Sequence, residues 1–426
     1  MDTMSVRVPF ASTMHQIGKV SIKAASTGLL AIFLMSPALA EGVGEELANA
    51  FESGSFDLNF RYRYEFVDQD SVMRDANAST LRTRLAYKSG DFRNFFLTIN
   101  VDDVRPIFAD NFNDSRNGKS QYPTVADPKG TDLNLASLTY TGLEDGTIVV
   151  GRQRIIRENA RFIGNVGWRQ NEQTYDSASI DYVVNEDFKV FYGYIDRVKR
   201  IFGPDTGSLT APVENFRSDS HIVDAVYEYS PEFRVVAYGY WLDLENAPGS
   251  SSRTTGLRLT GSTGDETRIS YSAEYAQQKD YKDNPNDYSE DYIHLTGGVD
   301  WSRYGVMAGY EVLQGSGISG QSFQTPLATG HKFNGWADQF LSTPAGGLED
   351  IYVQGSVKTD RGNYSLIYHQ FSQETGGNDY GNEWDLVGKW PLSDNYSVLA
   401  KTAIFESEDG FSSDVNKVWL MLTADF

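Results

Sequence analysis

Arginine residues at alternating positions are the feature of this sequence whose chemistry is easiest to name. Arg61 and Arg63 are separated by one residue, and Arg82 and Arg84 repeat that spacing further along the chain. A guanidinium is a planar fork of N–H donors that matches the two oxygens of a carboxylate. Several such groups around one constriction would concentrate a sugar acid or another anion, so we take these arginines as candidate binding residues for anions.

Other arginines share this potential, and several of them lie close together in the segment 152–169. The candidate residues of the solute path are Arg61, Arg63, Arg82, Arg84, Arg152, Arg154, Arg157, Arg161, Arg169, Arg258 and Arg268. The alternative role is structural, because enclosed arginines need carboxylate partners. Those partners would be Asp57, Glu65, Asp176, Asp181 and Glu274. The sequence leaves both roles open. It also leaves the orientation of Arg152 open, because Val150, two positions earlier, would lie on the same face of the strand and is apolar.

The elements that would position these arginines alternate apolar and polar residues one for one. In the segment 56–67, one side carries Phe56, Leu58, Phe60, Tyr62, Tyr64 and Phe66, and the other carries Asp57, Asn59, Arg61, Arg63 and Glu65. A period of two is that of a β-strand, and one lipid-like face with one wet face is typical of a transmembrane barrel. A soluble sandwich is the alternative, but 25 Tyr and 24 Phe suit the aromatic girdles of a membrane barrel.

Eighteen segments of about ten residues show this pattern, the first at 55–67, the third at 93–102 and the last at 417–426. Two of them, 233–243 and 304–314, do not show which face is apolar. Short turns such as 143–146 alternate with long connections such as 156–174. Outer-membrane barrels have short periplasmic turns and long extracellular loops. The sequence therefore predicts an all-β fold, an antiparallel transmembrane β-barrel of eighteen strands, with sixteen as the alternative, and a lumen that can hold water.

The N-terminal region predicts export. Residues 1–40 contain three basic residues, then an apolar run from 24 to 35, and they end in Ala-Leu-Ala, as in a cleaved secretory signal peptide. A membrane anchor is the alternative, but the run is shorter than the roughly 20 residues that a spanning helix needs. We expect cleavage after Ala40, a short periplasmic leader at 41–54 and the barrel at 55–426.

The absence of cysteine fits an exported barrel, which a closed network of backbone hydrogen bonds can hold without disulfides. These features predict a location in the outer membrane of a Gram-negative bacterium, in contact with its lipid and lipopolysaccharide. Periplasmic chaperones and the barrel-assembly machinery would then be partners during insertion. The sequence does not distinguish a monomer from a trimer.

The net charge of −21 argues against nucleic acid as a partner, because proteins that bind nucleic acid are basic. Much of the acid falls in predicted loops, for example Asp280, Asp283 and Asp287. Charges further apart than the Debye length, about 8 Å at physiological salt, are largely screened, so acidic loops and a basic lumen can coexist. We expect the loop carboxylates to be solvated, and the alternative is that they bind divalent cations that bridge lipopolysaccharide.

The longest predicted loop, 315–349, can fold into the barrel, because its glycines permit sharp turns. Loops of this length usually have a function. We predict that this loop narrows the lumen beside the arginines of 152–169, and the alternative is a cap on the outer rim. The candidate constriction residues are Phe323, His331, Lys332, Phe333 and Trp336.

Catalysis is not indicated. The predicted mature chain has His221, His294, His331 and His369, and none of them lies near a glycine-serine nucleophile motif or in an HxxxH or HxH spacing. We therefore predict no catalytic residue, no metal site and no cofactor, with an outer-membrane hydrolase as a remote alternative.

Two stretches of the chain follow a known pattern. The first contains GRQR at 151–154, NARFIG at 159–164 and WRQNEQTYD at 168–176, and the second contains FQTPLAT at 323–329 and HKFNGWAD at 331–338. Both resemble the alginate-export family of outer-membrane β-barrels. The resemblance implies an eighteen-stranded, anion-conducting porin, in a family whose founding member exports a polyanionic polysaccharide through an arginine-lined lumen.

These observations together predict a porin or channel for the passive passage of small hydrophilic solutes. The arginines and the resemblance favour anionic solutes, such as sugar acids or an anionic oligo- or polysaccharide like alginate. A general, non-selective diffusion porin is the alternative.

Overall fold

The fold is one antiparallel sheet that closes on itself. The computed structural model describes residues 37–70, 74–203 and 214–426. Within these ranges the strands are β1 Ser55–Gln69, β2 Ala76–Lys88, β3 Phe95–Asn111, β4 Gly130–Leu143, β5 Gly146–Gln153, β6 Thr174–Val183, β7 Phe188–Lys199, β8 Asn215–Ser230, β9 Phe233–Leu242, β10 Ser252–Thr263, β11 Thr267–Asp280, β12 Ser289–Trp301, β13 Tyr304–Leu313, β14 Leu348–Thr359, β15 Gly362–Ser372, β16 Asp379–Pro391, β17 Tyr396–Ser407 and β18 Val415–Asp425. Each strand pairs with its neighbours in sequence, and β1 also pairs with β18.

The pairing of β1 with β18 closes the barrel. Tyr62 lies opposite Leu422, and Leu58 and Phe426 exchange two backbone hydrogen bonds of 2.9 Å. A closed sheet has no edge strand, so its backbone groups are paired within the wall, as a bilayer requires. The predicted transmembrane barrel of eighteen strands is confirmed, and the alternative of sixteen strands is wrong.

The period of two in the sequence decides which residues face inward. Arg61, Arg63 and Glu65 on β1 are buried, whereas Tyr62 and Tyr64 between them are only partly covered. Apolar side chains on the opposite, outward face are open, and Leu257 on β10, for example, is 56 % exposed. In a bilayer this outward face contacts acyl chains, and the inward face surrounds the lumen.

The connections differ strongly between the two ends of the barrel. At one end, two-residue turns join β4 to β5 and β12 to β13, and Asp145 (φ 60°) and Ser302 (φ 51°) adopt the left-handed conformation there. At the other end, residues 154–173 join β5 to β6 and residues 314–347 join β13 to β14. Because short turns are periplasmic in barrels of this kind, the long-loop end is the extracellular end.

Some strands are longer than the sequence pattern predicts. The prediction ended the third strand at residue 102, but β3 continues to Asn111 and stays paired with β2 past a bulge between Ala78 and Thr80. The segment 103–111 contains Pro106, which is unusual inside a strand, followed by three consecutive apolar residues at 107–109. The alternation of apolar and polar residues is lost there, so the predicted end of the strand was wrong.

An α-helix, α1, spans Pro37–Glu52 and belongs to a separate compact unit that ends at Ser53. The predicted signal peptide lies mainly in residues 1–36, outside the described residues, and α1 runs through the predicted cleavage position and most of the predicted leader. Cleavage after Ala40 stays a prediction. Among the described residues, no helix has the length and apolarity needed to cross a bilayer.

Candidate functional site

Two long connections lie inside the barrel at its long-loop end and pack against each other. We call residues 154–173 the first inner loop and residues 314–347 the second inner loop. Ile163 and Leu327 form a parallel β-bridge between them, and the Gly164 amide donates to the Leu327 carbonyl over 2.9 Å. The Thr329 amide adds a hydrogen bond of 3.0 Å to the carbonyl of Ala160. The two motifs that stand out in the sequence are thus in contact.

Inward-facing side chains of β15, β16 and β17 hold the second inner loop. The amides of Trp336 and Ala337 donate to Asp385 Oδ2 over 3.2 Å and to Glu383 Oε1 over 2.7 Å. Gly335 precedes them with φ 79°, and a Cβ there would lie 2.3 Å from Glu383 Oε2, which explains the glycine. Phe340 then packs with Phe371 and Phe405 from the wall, with the Phe371 ring centroid 4.5 Å away.

An aromatic cluster fills the space between the inner loops and the wall. Phe162 of the first loop and Phe323 of the second lie 5.9 Å apart between ring centroids. Phe162 also lies 5.5 Å from Tyr238 and 5.2 Å from Tyr292, both on inward faces. All four residues are buried, so this part of the lumen is packed like a protein core.

A network of buried charges connects Arg169 of the first inner loop to the wall and to the second loop. Its guanidinium lies 3.1 Å from Glu65 Oε2 and 3.1 Å from Asp338 Oδ2, and Lys417 on β18 also reaches Asp338 at 3.0 Å. Burial alone would raise the pKa of Asp338, but its contacts with His331, Lys417 and Arg169 hold it well below its usual range. Arg63 contributes an ion pair with Asp127 in the same network.

Arg161 forms a second buried network. Its Nε donates to Glu311 Oε1 over 2.8 Å, and its Nη2 donates to Asn334 Oδ1 over 2.9 Å. Asn334 in turn donates to Glu311 Oε2 over 2.6 Å and to Asp350 Oδ2 over 3.1 Å. The Phe333 ring covers the guanidinium at 4.8 Å from its centroid. This arginine therefore ties both inner loops to β13 and β14.

His331 connects the second inner loop to β17 through Lys401. The imidazole stacks on Trp168 at 4.6 Å between centroids, and its Nδ1 and Nε2 lie 2.7 Å from Asp338 Oδ1 and 2.8 Å from Lys401 Nζ. These contacts assign a neutral ring that donates from Nδ1 and accepts at Nε2. Burial, together with the nearby Lys401 charge, lowers the pKa of His331 to about 3. The Lys401 ammonium also lies 3.5 Å from the centroid of Trp336.

Glu172 of the first inner loop is shared by two arginines. Arg84 Nη2 lies 2.6 Å and Arg154 Nη2 lies 2.5 Å from its Oε1. Burial would raise the pKa of Glu172, but the two guanidiniums hold it well below its usual range. Arg84 additionally forms a bidentate pair with Asp102, at 2.7 and 2.6 Å. Arg154, with 35 % of its side chain exposed, is the most open arginine of this group.

Further basic residues are paired on the opposite side of the lumen. Arg157 pairs with Asp224, and Arg258 lies 2.8 Å from Glu274. Lys332 Nζ donates to the carbonyl of Asn159 over 2.9 Å. Arg268 is more exposed, nearer the short-turn end, where its Nη2 donates to Ser262 over 2.8 Å.

Arg61 and Arg82 differ from these residues, because they lie directly opposite each other on β1 and β2. Arg61 donates to Gln170 Oε1 over 3.0 Å, to the Gly167 carbonyl over 2.9 Å and to the carbonyl of Arg169. Arg82 donates to Asn59 Oδ1 over 2.5 Å. Within the described ranges, neither guanidinium has a carboxylate within 4.0 Å.

Arg152 lies apart from the lumen residues. It is paired in register with Asp176, at 2.7 Å, on the face of β6 opposite to that of the inward residues Tyr175 and Ser177. The alternation shared with Val150 thus places Arg152 on the outward face near the long-loop end. The other ten candidate arginines and the five candidate loop residues lie in the barrel interior or in the inner loops.

Sequence reasoning missed several residues of these networks. Arg234 forms a bidentate pair with Glu158, with both contacts at 2.7 Å, but it lies in the segment whose faces the sequence did not distinguish. Lys401 and Lys417 alternate with outward apolar residues on the last two strands, which was a usable signal. No group of three or more histidine, aspartate or glutamate residues in the described part of the chain is arranged to hold a metal ion.

A closed barrel of eighteen strands, with an apolar outer face and a charged interior that two loops enter, is the architecture of an outer-membrane porin. The sequence model of the family described as alginate export matches residues 53–312, which is more than half of the 426 residues. The chain therefore belongs to the alginate-export family. No curated protein matches its sequence.

Solved structures of outer-membrane porins share this fold. OccAB4 of Acinetobacter baumannii matches with a TM-score of 0.67 at 14 % identity, covering 89 % of this chain and 99 % of that chain. OpdO of Pseudomonas aeruginosa matches with a TM-score of 0.65 at 13 % identity and the same coverage. OpdK of Pseudomonas aeruginosa with vanillate matches with a TM-score of 0.67 at 11 % identity, covering 88 % of this chain and 99 % of that chain. At these identities the similarity shows the fold alone.

Proposed function

We propose that this porin passes small hydrophilic solutes passively and prefers anions, such as sugar acids or an anionic oligosaccharide. The observation that carries the proposal is the direct pairing of Arg61 with Arg82 on the inward faces of β1 and β2, without a carboxylate within 4.0 Å among the described residues. Two guanidiniums in this arrangement repel each other. An anion in the lumen beside them would reduce that repulsion.

A further guanidinium near this pair is open to the lumen. Arg84 follows Arg82 on the same face of β2 and contacts both Asp102 and Glu172, whereas Arg154, which shares Glu172, keeps 35 % of its side chain exposed. A planar carboxylate suits the donor geometry of such guanidiniums. OpdK, which has the same fold, has been solved with vanillate, a small carboxylate.

The general diffusion porin remains the second candidate, because most of the other arginines are paired. Arg161, Arg169 and Arg258 each have a carboxylate at 2.8 to 3.1 Å, as residues that only brace a wall would have. We propose that the second inner loop narrows the passage rather than capping the rim, and its contacts with inward residues of β13 to β17 support this. Export of alginate, the outer-membrane partners, the oligomeric state and the absence of enzymatic activity stay predictions.

Reversal potentials in planar bilayers test the proposed preference. With purified protein in a gradient of potassium chloride, we expect chloride to pass more readily than potassium, and uronate oligomers to block the current more than neutral oligosaccharides of equal length. A preference for potassium would contradict the anion proposal and leave the porin intact. Equal permeability, with no selective block by uronates, would favour the general diffusion porin.

A further inference from the structure

A row of polar and aromatic side chains crosses the outward face of four neighbouring strands near the long-loop end. His221 on β8 lies opposite Trp241 on β9, Trp241 lies opposite Arg253 on β10, and Arg253 lies opposite Lys279 on β11. These positions alternate with buried inward residues, such as Thr254 between Arg253 and the next outward position. We call these four residues the outer basic row.

The two cations of the outer basic row form no ion pair with any residue in the described ranges. In the part of the chain that the structure describes, neither Arg253 nor Lys279 has an acidic group within 4.0 Å or a side-chain hydrogen bond. Side chains directly opposite each other on antiparallel strands have Cβ atoms about 4.5–5.5 Å apart, and like charges there destabilise the pair. Lys282, by contrast, is neutralised by Asp243 at 3.5 Å. An anion that contacts both Arg253 and Lys279 would remove their repulsion.

The height of the row on the barrel indicates where such an anion comes from. Leu257 and Tyr275, four residues along the same two strands, form an exposed outward pair at the edge of the apolar belt. Four residues span about 13 Å of strand, or about 10 Å along the barrel axis at the usual tilt. Arg253 and Lys279 thus lie just beyond the acyl chains, at the level of the lipid headgroups in the outer leaflet.

The surface beside the two cations is concave. Trp241, Arg253, Thr255, Gln277 and Lys279 line a depression of about 270 Å³. The Trp241 ring lies over Gly239, with its nearest atom 2.6 Å from the position of an added Cβ, so the ring extends from the row toward the apolar belt. Thr255 and Gln277 add hydroxyl and amide groups, although Gln277 also donates to Asp291 over 3.3 Å. The depression therefore combines two cations and polar groups with an aromatic wall on the lipid side.

We propose that the outer basic row binds a phosphate group of lipopolysaccharide in the outer leaflet. Phosphate offers three acceptor oxygens to the guanidinium, the ammonium and the polar groups, while Trp241, Leu257 and Tyr275 lie where the sugar and acyl chains of the same lipid would pack. The proposal rests on the membrane-spanning barrel and its outward charges. It does not depend on which solutes pass through the lumen.

Lipopolysaccharide bound to the purified full-length protein tests the proposal, with Arg253→Gln/Lys279→Gln as the test variant. The matched control is Arg303→Gln/Arg361→Gln, which removes two exposed cations from turns at the short-turn end. A single basic residue near an anionic membrane surface contributes about fivefold to the affinity, so two should contribute about 30-fold. We expect the apparent affinity for lipopolysaccharide in detergent, measured by native mass spectrometry, to fall by about this factor in the test variant only.

Three further measurements distinguish a loss of lipid binding from misfolding and from binding of a free anion. The variant Arg253→Lys/Lys279→Arg keeps both charges and should retain most of the binding, and unchanged single-channel conductance shows that each variant is folded. Inorganic phosphate at millimolar concentration should not displace the lipid, because it lacks the contacts with Trp241 and the apolar belt. Equal binding by the wild type and the glutamine variant would overturn the proposal. Complete displacement by inorganic phosphate would reassign the row to a free anion.

Discussion

Two groups of arginines inside the same barrel have opposite surroundings. Arg161 and Arg169 belong to the first inner loop and reach carboxylates at 2.8 and 3.1 Å, whereas Arg61 and Arg82 face each other without a carboxylate within 4.0 Å in the described ranges. All four are buried, and they differ in position, because Arg61 and Arg82 lie on strands whereas Arg161 and Arg169 lie in a loop. The difference shows that an arginine in a lumen is not by itself a binding group, because its partners decide whether it braces the wall or attracts a solute.

The inner loops provide many of the contacts that distinguish the two groups. Removing part of one loop should therefore have the largest effect of the changes considered, and the effect should be on conductance. Deletion of residues 318–340 removes Asn334, Trp336 and Asp338 and with them the contacts to Glu311, Asp385 and Arg169. We expect single-channel conductance to rise at least roughly twofold, because the packed part of the lumen becomes open to water. Ile318→Ser changes an exposed residue of the same loop and should leave the conductance unchanged. A conductance that does not rise would assign the loop to the rim.

Loss of a bracing arginine should destabilise the barrel. Arg169→Gln leaves Glu65 and Asp338 buried without this guanidinium, and breaking a buried ion pair on one side costs about 3–5 kcal/mol. The measurement is the free energy of unfolding from urea titrations in detergent, followed by tryptophan fluorescence. Arg105→Gln is the control, since its pair with Asp103 is 56 and 34 % exposed and should contribute at most about 1 kcal/mol. Similar losses in both variants would mean that Arg169 is not a brace.

The sequence could predict the strands and their inward faces, but not the contacts that the loops make. Alternation along single strands was enough for the fold, the strand number and the inward faces of Arg63, Glu65 and Arg82, because a period of two is a local property. The pairing of Arg161 with Glu311 was not readable, since it joins residues 150 positions apart through two loops. The inward face of β9 could not be predicted either, because its inward residues Tyr238 and Tyr240 are aromatic. They pack against aromatic loop residues in the lumen, so both faces of this strand are apolar.

Acid should weaken the braced region through His331. The folded protein keeps this ring neutral, with a pKa of about 3, whereas an unfolded histidine has a pKa of about 6.5. Below pH 6.5 the unfolded chain therefore binds more protons, and the free energy of unfolding falls as the pH decreases, by up to about 1.4 kcal/mol per pH unit. Unfolding titrations between pH 6.5 and 5 should show a steeper fall of stability with decreasing pH in the wild type than in His331→Gln, since the other titratable groups are the same in both proteins. Ile318→Ser, which changes no titratable group of this loop, should keep the wild-type slope, and an unchanged slope in His331→Gln would assign the effect to other groups.

Loss of an arginine without a carboxylate partner should have the smallest effect on stability. It should instead change the ion selectivity of the pore. Arg82→Gln removes a charge that faces Arg61 and borders Arg84, so the repulsion decreases and the free energy of unfolding should not fall as it does in Arg169→Gln. A unit charge acts on an ion about 4 Å away in water with about 1 kcal/mol, attracting chloride and repelling potassium, so the ratio of chloride to potassium permeability should fall at least about fivefold. Reversal potentials measure this ratio, with Arg105→Gln, outside the lumen path, as the control. Arg82→Gln could instead lower the free energy of unfolding by as much as Arg169→Gln and leave the permeability ratio unchanged. The distinction between bracing arginines and arginines that attract a solute would then be wrong, because both groups would only stabilise the barrel wall.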